Sequence, residues 1–232
     1  MSVNARQTAL YELRRRIISG ELQGGDKLRA SHLAEDMVIS RTPISEALLK
    51  LEAEGLLIGD KSGFTVRSFS VQEVFDAIDL RGLLEAAAAE RAAEIGATED
   101  HLQRLKDLLD EMDGILEDKN LDAYETLNET FHVAVLHASR SPILIEEAMR
   151  SYRLPFAGPS AFPIKETDHN RFHSSILTGQ EHHRLIVEAI EARQSARVFS
   201  LMREHARVAH GNVEAALNAR HATPQLALVK DA

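Results

Sequence analysis

The apolar positions of the first third of the chain change period several times, and each change marks an element. From Thr8 to Ser19 they follow one helical stripe, with Leu10, Leu13, Ile17 and Ile18 on or near it. After a glycine-containing turn, Ser31 is placed to cap a short helix running to about Met37. Ser40 is placed to cap the next, with Pro43 tolerated in its first turn. That helix carries Ile44, Ala47, Leu48 and Leu51 at i, i+3, i+4 and i+7, and Gly55 stops it. Leu56–Ile58 and Phe64–Val66 read as two short strands around Asp60-Lys61-Ser62-Gly63, a hairpin.

Beyond Val66 the helical period takes over. Ser70-Val71-Gln72-Glu73 has the form of a capping box, and the helix it opens runs to Gly96 through a small-residue stretch, Ala86 to Ala89, suited to close packing. Further helices are expected at about 98–117, 121–138, 142–153, 168–177, 180–192 and 194–218, with no strand after residue 67. The loop from Leu154 to Pro163 holds three of the six prolines. The pattern predicts a mainly α protein with a small helix-and-hairpin domain at 1–69, an all-helical domain at 70–218 and a flexible tail at 219–232.

Charge sharpens the division. Residues 1–67 carry ten Lys/Arg against nine Asp/Glu, leaving 17 against 27 for the rest of a chain whose net charge is −9. A near-neutral head on an acidic body argues against general coating of nucleic acid but leaves room for a local DNA-binding face. With no Cys and only 5% aromatic residues, disulfides and thiolate metal sites are excluded and the cores must be aliphatic. No apolar run approaches the ~20 residues that span a bilayer, so a cytoplasmic protein with no membrane partner is expected.

A helix-turn-helix needs a buried seam, a tight turn and polar residues at the start of its second helix. Leu33, Ala34, Val38, Ile44 and Leu48 supply the seam, while Ser40, Arg41, Thr42 and Ser45 supply the exposed start. Arg41 can pair bidentately with guanine. Ser31, Ser40 and Thr42 suit phosphate contacts, Lys50 and Lys61 add backbone-directed charge, and Gly63 lets the hairpin tip approach the minor groove. The ordered string IISGELQGGDKL, LAEDMVISRTPISEALLKLEAEGLL and GFTVR resembles the winged helix-turn-helix of the GntR family of bacterial transcription regulators. Two positions depart from that family: Ser45 stands where members often carry Arg, and Met37 where they usually carry Gly.

Ten of the eleven histidines lie outside the head. Asn128 and His132 share a helix face, and His183 and His205 lie on the last two long helices. Imidazoles converging with an oxygen ligand would suit Zn²⁺, Ni²⁺ or another divalent ion. The residues alone do not choose among these and His101, His137, His169, His173, His182 and His210.

The segments DLRGLLEAAAAERAA, NETFH, HRLIVEAI and MREH resemble the all-helical FCD effector domain of the FadR branch of the GntR family. That resemblance implies metal ligands at Asn128, His132, His183 and His205, with a neutral amide where Asp is usual. It also implies an effector site formed by these residues and Arg81, whose guanidinium would fork a carboxylate. The plainer role for Arg81 is an ion pair with Glu85, one turn on. The 154–163 loop is similar to that of VanR-type members, which implies an aromatic acid effector. The expectation is therefore a homodimeric, ligand-responsive repressor released from a palindromic operator by a small carboxylate. The competing class is a metal-dependent hydrolase built on the histidines. Glu129, the base such an enzyme would need, faces away from the stripe of His132, and no HExxH or nucleophile elbow is present.

Overall fold

A computed structural model describes residues 2–18, 21–61, 63–117, 121–154, 157–159, 169–218 and 229–230. Contacts divide the chain into two units, Met1–Val74 with Ala216–Ala232, and 75–215.

In the first unit, α1 (Ser2–Ile18) packs on α3 (Arg41–Ala53), and α2 (Ala30–Asp36) packs beside α3. Their core is Ala9, Leu13 and Ile17 from α1, Leu33 and Ala34 from α2, and Ile44, Ala47, Leu48 and Leu51 from α3. Ala9 rather than Leu10 faces inward, because it lies four residues before Leu13 on the same stripe; the side chain of Ile18 lies outside the described residues. At the end of α3, Gly55 takes φ +77° and Leu56 N–H reaches back to the Leu51 carbonyl at 3.0 Å, the left-handed stop expected of this glycine.

A three-stranded antiparallel sheet covers this helical layer in the order β1 (Lys27–Leu28), β3 (Gly63–Val66), β2 (Leu57–Asp60). Leu57 pairs with Val66 and Asp60 with Gly63, so the hairpin closes where the sequence places it, with Ser62 outside the described residues. The pairing of Lys27 with Thr65 adds a strand that local pattern does not reveal. Two residues, β4 (Phe69–Ser70), run parallel to β5 (Val229–Lys230). The expectation of no strand beyond residue 67 is corrected there: Phe69–Ser70 pairs with Val229–Lys230, a partner distant in sequence.

Three other local expectations change. Ser31 does not cap α2, whose N-cap is Arg29. Ser40 occupies the N-cap of α3, but its hydroxyl makes no cap hydrogen bond. Val38 leaves the predicted seam altogether and is 89% exposed. The reason is the turn: Val38 sits just past α2 at φ +55°, which swings its side chain outward while Ile39 N–H bonds the Ala34 carbonyl at 3.1 Å. Met37, the position that departs from the family's usual Gly, keeps an ordinary right-handed φ of −86°.

The second unit is built from α4 (Val71–Ile95), α5 (Glu99–Glu117), α6 (Leu121–Ala138), α7 (Pro142–Ser151), α8 (His169–Glu191) and α9 (Ser195–Asn218). The capping box that opens α4 is present in both directions: Ser70 N–H donates to Glu73 at 2.8 Å and Glu73 N–H to Ser70 Oγ at 3.2 Å. α5 packs on α6 and α8, and α6 on α7. Small residues Ala86, Ala88, Ala89, Ala92 and Ala93 are fully buried on α4. Gly82 of α4 meets α9 so closely that a Cβ there would stand 2.5 Å from Ala206 Cβ. The break expected at residues 178–179 is absent: α8 runs through Gly179, a helix-interior glycine costing ~1 kcal/mol against Ala and held in place by its packing. Among the described residues no helix is long and apolar enough to cross a membrane.

Candidate DNA-reading face and buried histidine centre

The first unit presents a concave surface of 390 Å³ lined by Leu28, Arg29, Ala30, Ser31, Arg41, Ser45, Gly63 and Phe64. It gathers Ser31, Arg41, Ser45 and Gly63, four positions expected to meet DNA, from α2, α3 and the hairpin. Ser40 and Thr42 flank Arg41 at the exposed start of α3, while Lys50 and Lys61 are exposed away from this concavity. Arg41 makes no ion pair among the described residues, so its guanidinium is available. Sequence reasoning missed Arg29, which lines the same concavity; a basic residue directly before the first helix of the motif was the signal for it. Here exposed cationic and hydroxyl donors sit around a free helix N-terminus, a surface that favours phosphate and base-edge acceptors.

The second unit draws three histidines from three helices: His132 on α6, His183 on α8 and His205 on α9. Two are wholly buried and His205 nearly so. Their Nε2 atoms converge, His205 to His132 at 3.1 Å and His183 to His205 at 3.3 Å. Two Zn–N bonds of about 2.0–2.1 Å at octahedral to tetrahedral angles hold nitrogens about 2.9–3.4 Å apart, so these distances fit one divalent ion. Burial first, then the neighbouring charges, drives the pKa of His183 and His205 well below the usual imidazole value, so both present neutral lone pairs. Among the described residues, these are the three histidines whose ring nitrogens come together and could hold an ion. His182 reaches only the edge of the ring cluster, His210 stacks on Phe75, and His101 bonds Thr98. The side chain of His169 lies outside the described residues.

Behind the imidazoles stand polar groups that sequence reasoning assigned otherwise or did not single out. Glu85 Oε1 on α4 is 3.1 Å from His132 Nδ1 and accepts a hydrogen bond from Tyr152. Burial pushes the Glu85 carboxyl up, but His132, Arg81 and these hydrogen bonds outweigh it and hold it at about 2. Glu85 therefore serves the histidine cluster, and among the described residues no ion pair joins it to Arg81. Gln180 Oε1 lies 3.3 Å from His183 Nδ1.

Arg81 is 2% exposed, and its Nε has no hydrogen-bond partner among the described residues. It lines a cavity with Asn128, His205, Tyr124, Ser175 and Asn212. The space open there to the centre of a water molecule is 30 Å³. That is room for about two waters, and a larger occupant requires side chains to move. Asn128 is buried and donates its Nδ2 to the Pro159 carbonyl at 2.8 Å, which leaves Oδ1 as its only ligand-capable atom. His132 and His183 do not line the cavity. Glu129 is exposed. Of the proline-rich loop, residues 155–156 and 160–163 lie outside the described residues.

Comparison with known proteins agrees with both halves of this picture. Residues 5–66 match the model of the bacterial regulatory proteins of the gntR family, and residues 76–208 match the FCD domain. The chain is 28% identical over 204 residues to the HTH-type transcriptional repressor GlaR of Escherichia coli, covering 83% of this chain and 88% of that one. It is 30% identical over 192 residues to the HTH-type transcriptional regulator LutR of Bacillus subtilis, covering 70% and 86%. The structure of E. coli McbR/YncC superposes with a TM-score of 0.68 at 23% identity over 94% of this chain and 99% of that one, a likeness of fold. A winged helix-turn-helix, a helical domain with a buried histidine centre and these matches lead to one conclusion: the chain belongs to the GntR family and is a DNA-binding transcription regulator with an FCD domain, not an enzyme.

Proposed function

We propose that the protein is a cytoplasmic, homodimeric repressor that leaves its operator when a small carboxylate binds beside the histidine centre. The observation that carries this reading is Arg81, a buried arginine with an unpartnered Nε lining the same cavity as His205. A buried guanidinium N–H left without an acceptor costs stability, and a forked carboxylate is a group that supplies one. His132, His183 and His205, with Asn128 Oδ1, would hold a divalent ion such as Zn²⁺ or Ni²⁺. When bound, it would supply positive charge and a coordination position for the same anion. The amide of Asn128 brings no negative charge to this set, so an anionic effector would complete it. The size of the cavity favours a compact acid, and an aromatic acid of the VanR type would need side chains to give way.

In the first unit, Arg41 is the base reader. Ser31, Ser40, Thr42, Ser45, Lys50, Lys61 and Gly63 contact the phosphate backbone and the minor groove. Two such heads related by a dimer axis suit a palindromic operator. Effector and operator then weaken each other's binding by the same factor. The test is a thermal-shift screen of small carboxylates with Zn²⁺ or Ni²⁺ on the native chain and on Arg81→Ala. A ligand of the native state raises the native melting temperature, and the reading requires that shift to vanish in the variant. A carboxylate that stabilises both proteins equally places the anion elsewhere.

A further inference from the structure

We infer that Gln180 is a positioning residue that fixes the tautomer of His183 and so aims its Nε2 lone pair at the centre of the histidine cluster. The consequence for metal affinity rests on the metal reading above, whereas the tautomer stands on hydrogen bonding alone.

Gln180 lies on α8, one turn before His183, and is 1% exposed. Its Nε2 donates to Asp113 Oδ1 at 2.7 Å and to the Leu109 carbonyl at 3.3 Å, both on α5. A carboxylate and a carbonyl only accept, so the amide cannot turn over without losing both bonds and setting oxygen against oxygen. The same Asp113 oxygen also accepts from Arg184 at 2.6 Å, which holds the carboxylate in place. The Gln180 oxygen is therefore the atom that faces inward, where it accepts from Tyr124 OH at 3.4 Å and meets His183 Nδ1 at 3.3 Å. An amide oxygen accepts only, so Nδ1 must carry the proton. A neutral imidazole has one N–H, and Nε2 is left bare.

That choice decides what the centre can hold. His183 Nε2 stands 3.3 Å from His205 Nε2, which stands 3.1 Å from His132 Nε2. The Nε2–H tautomer, the commoner form of free histidine, would place a proton where the three nitrogens converge. Through Asp113 and Leu109, α5 thereby orients one donor of the set, although it contributes no ligand of its own.

The experiment is a long-range ¹H–¹⁵N correlation spectrum of the full chain, histidine-labelled, at pH 8 without metal. It is paired with competition for Zn²⁺ against a chromophoric chelator. Native His183 should show a protonated Nδ1 and a bare Nε2. Gln180→Leu should move His183 to the Nε2–H form and weaken Zn²⁺ binding about 10- to 100-fold. A native His183 protonated on Nε2 overturns the inference, as does a Gln180→Leu protein that keeps tautomer and affinity. If Gln180→Leu does not fold, the native spectrum still decides. If the tautomer switches as stated but the native chain binds no divalent ion, the metal reading fails and the role of Gln180 stands.

Discussion

Val38 holds the turn of the helix-turn-helix at φ +55°. For an L-residue that conformation costs about 1–2 kcal/mol, and a β-branched side chain is poorly suited to it. The side chain is 89% exposed, so replacing it sacrifices almost no burial. Asn tolerates the left-handed region without adding the backbone freedom of Gly to the unfolded chain. Val38→Asn should therefore stabilise the α2–turn–α3 unit by about 1 kcal/mol, a factor of roughly five in its opening equilibrium. Val38→Gly should gain less, because its greater unfolded freedom offsets about 0.5–1 kcal/mol. Val38→Thr, still β-branched, should change little. Hydrogen exchange on the full chain reads this directly at Ile39, whose N–H bonds the Ala34 carbonyl, and at the buried positions Ile44 to Leu51 of α3. Exchange in Val38→Asn as fast as in the native chain, with Val38→Thr indistinguishable from both, would show that the turn carries no such strain.

Three further outcomes are expected. Gly82→Ala sets a methyl 2.5 Å from Ala206 Cβ and should destabilise the helical unit by about 1–3 kcal/mol in urea unfolding, with Ala206→Gly restoring much of the loss. The Glu73 carboxyl is held below its ordinary value of 4.5, first by the Ser70 backbone N–H, so its capping contribution is complete above that pH and is lost as pH falls through the lower folded value. Faster amide exchange in the first turn of α4 on acidification, absent in Glu73→Gln, checks this. Arg41→Ala should weaken operator binding by about 1–3 kcal/mol and relax specificity at one base pair while leaving carboxylate binding unchanged; isothermal titration of both ligands would expose any failure.

How far the chain disclosed itself depended on the range of the interaction. Ile44, Ala47, Leu48 and Leu51 form a local stripe, and the Ser70–Glu73 box is a local exchange of hydrogen bonds, so both were readable. Strand partners were not, because Lys27 meets Thr65 and Phe69 meets Val229 only once the intervening chain has folded. Gly179 misled because a lone glycine reads as a stop, whereas here it lies inside a helix packed beside His205. Val38 misled in the other direction: its apolar character placed it in the seam, and backbone geometry put it outside. At the histidine centre, spacing puts Asn128 and His132 on one face, and family resemblance pointed to His183 and His205. Only the fold brings the three Nε2 atoms together. Glu85 carried no signal because it reaches His132 across two packed helices, and Gln180, though only one turn before His183, has its oxygen aimed by acceptors on α5 that no motif reveals.

A carboxylate beside Arg81 should change how tightly the winged heads hold DNA. The direct measurement is operator affinity by fluorescence anisotropy, on a palindromic site selected from random DNA. It is made with and without a carboxylate that stabilises the native chain but not Arg81→Ala. Operator Kd should rise about 5- to 150-fold at saturating carboxylate, with no rise in Arg81→Ala, whose affinity without carboxylate should match the native chain. A carboxylate whose binding depends on Arg81 yet leaves the native operator Kd unchanged would contradict it.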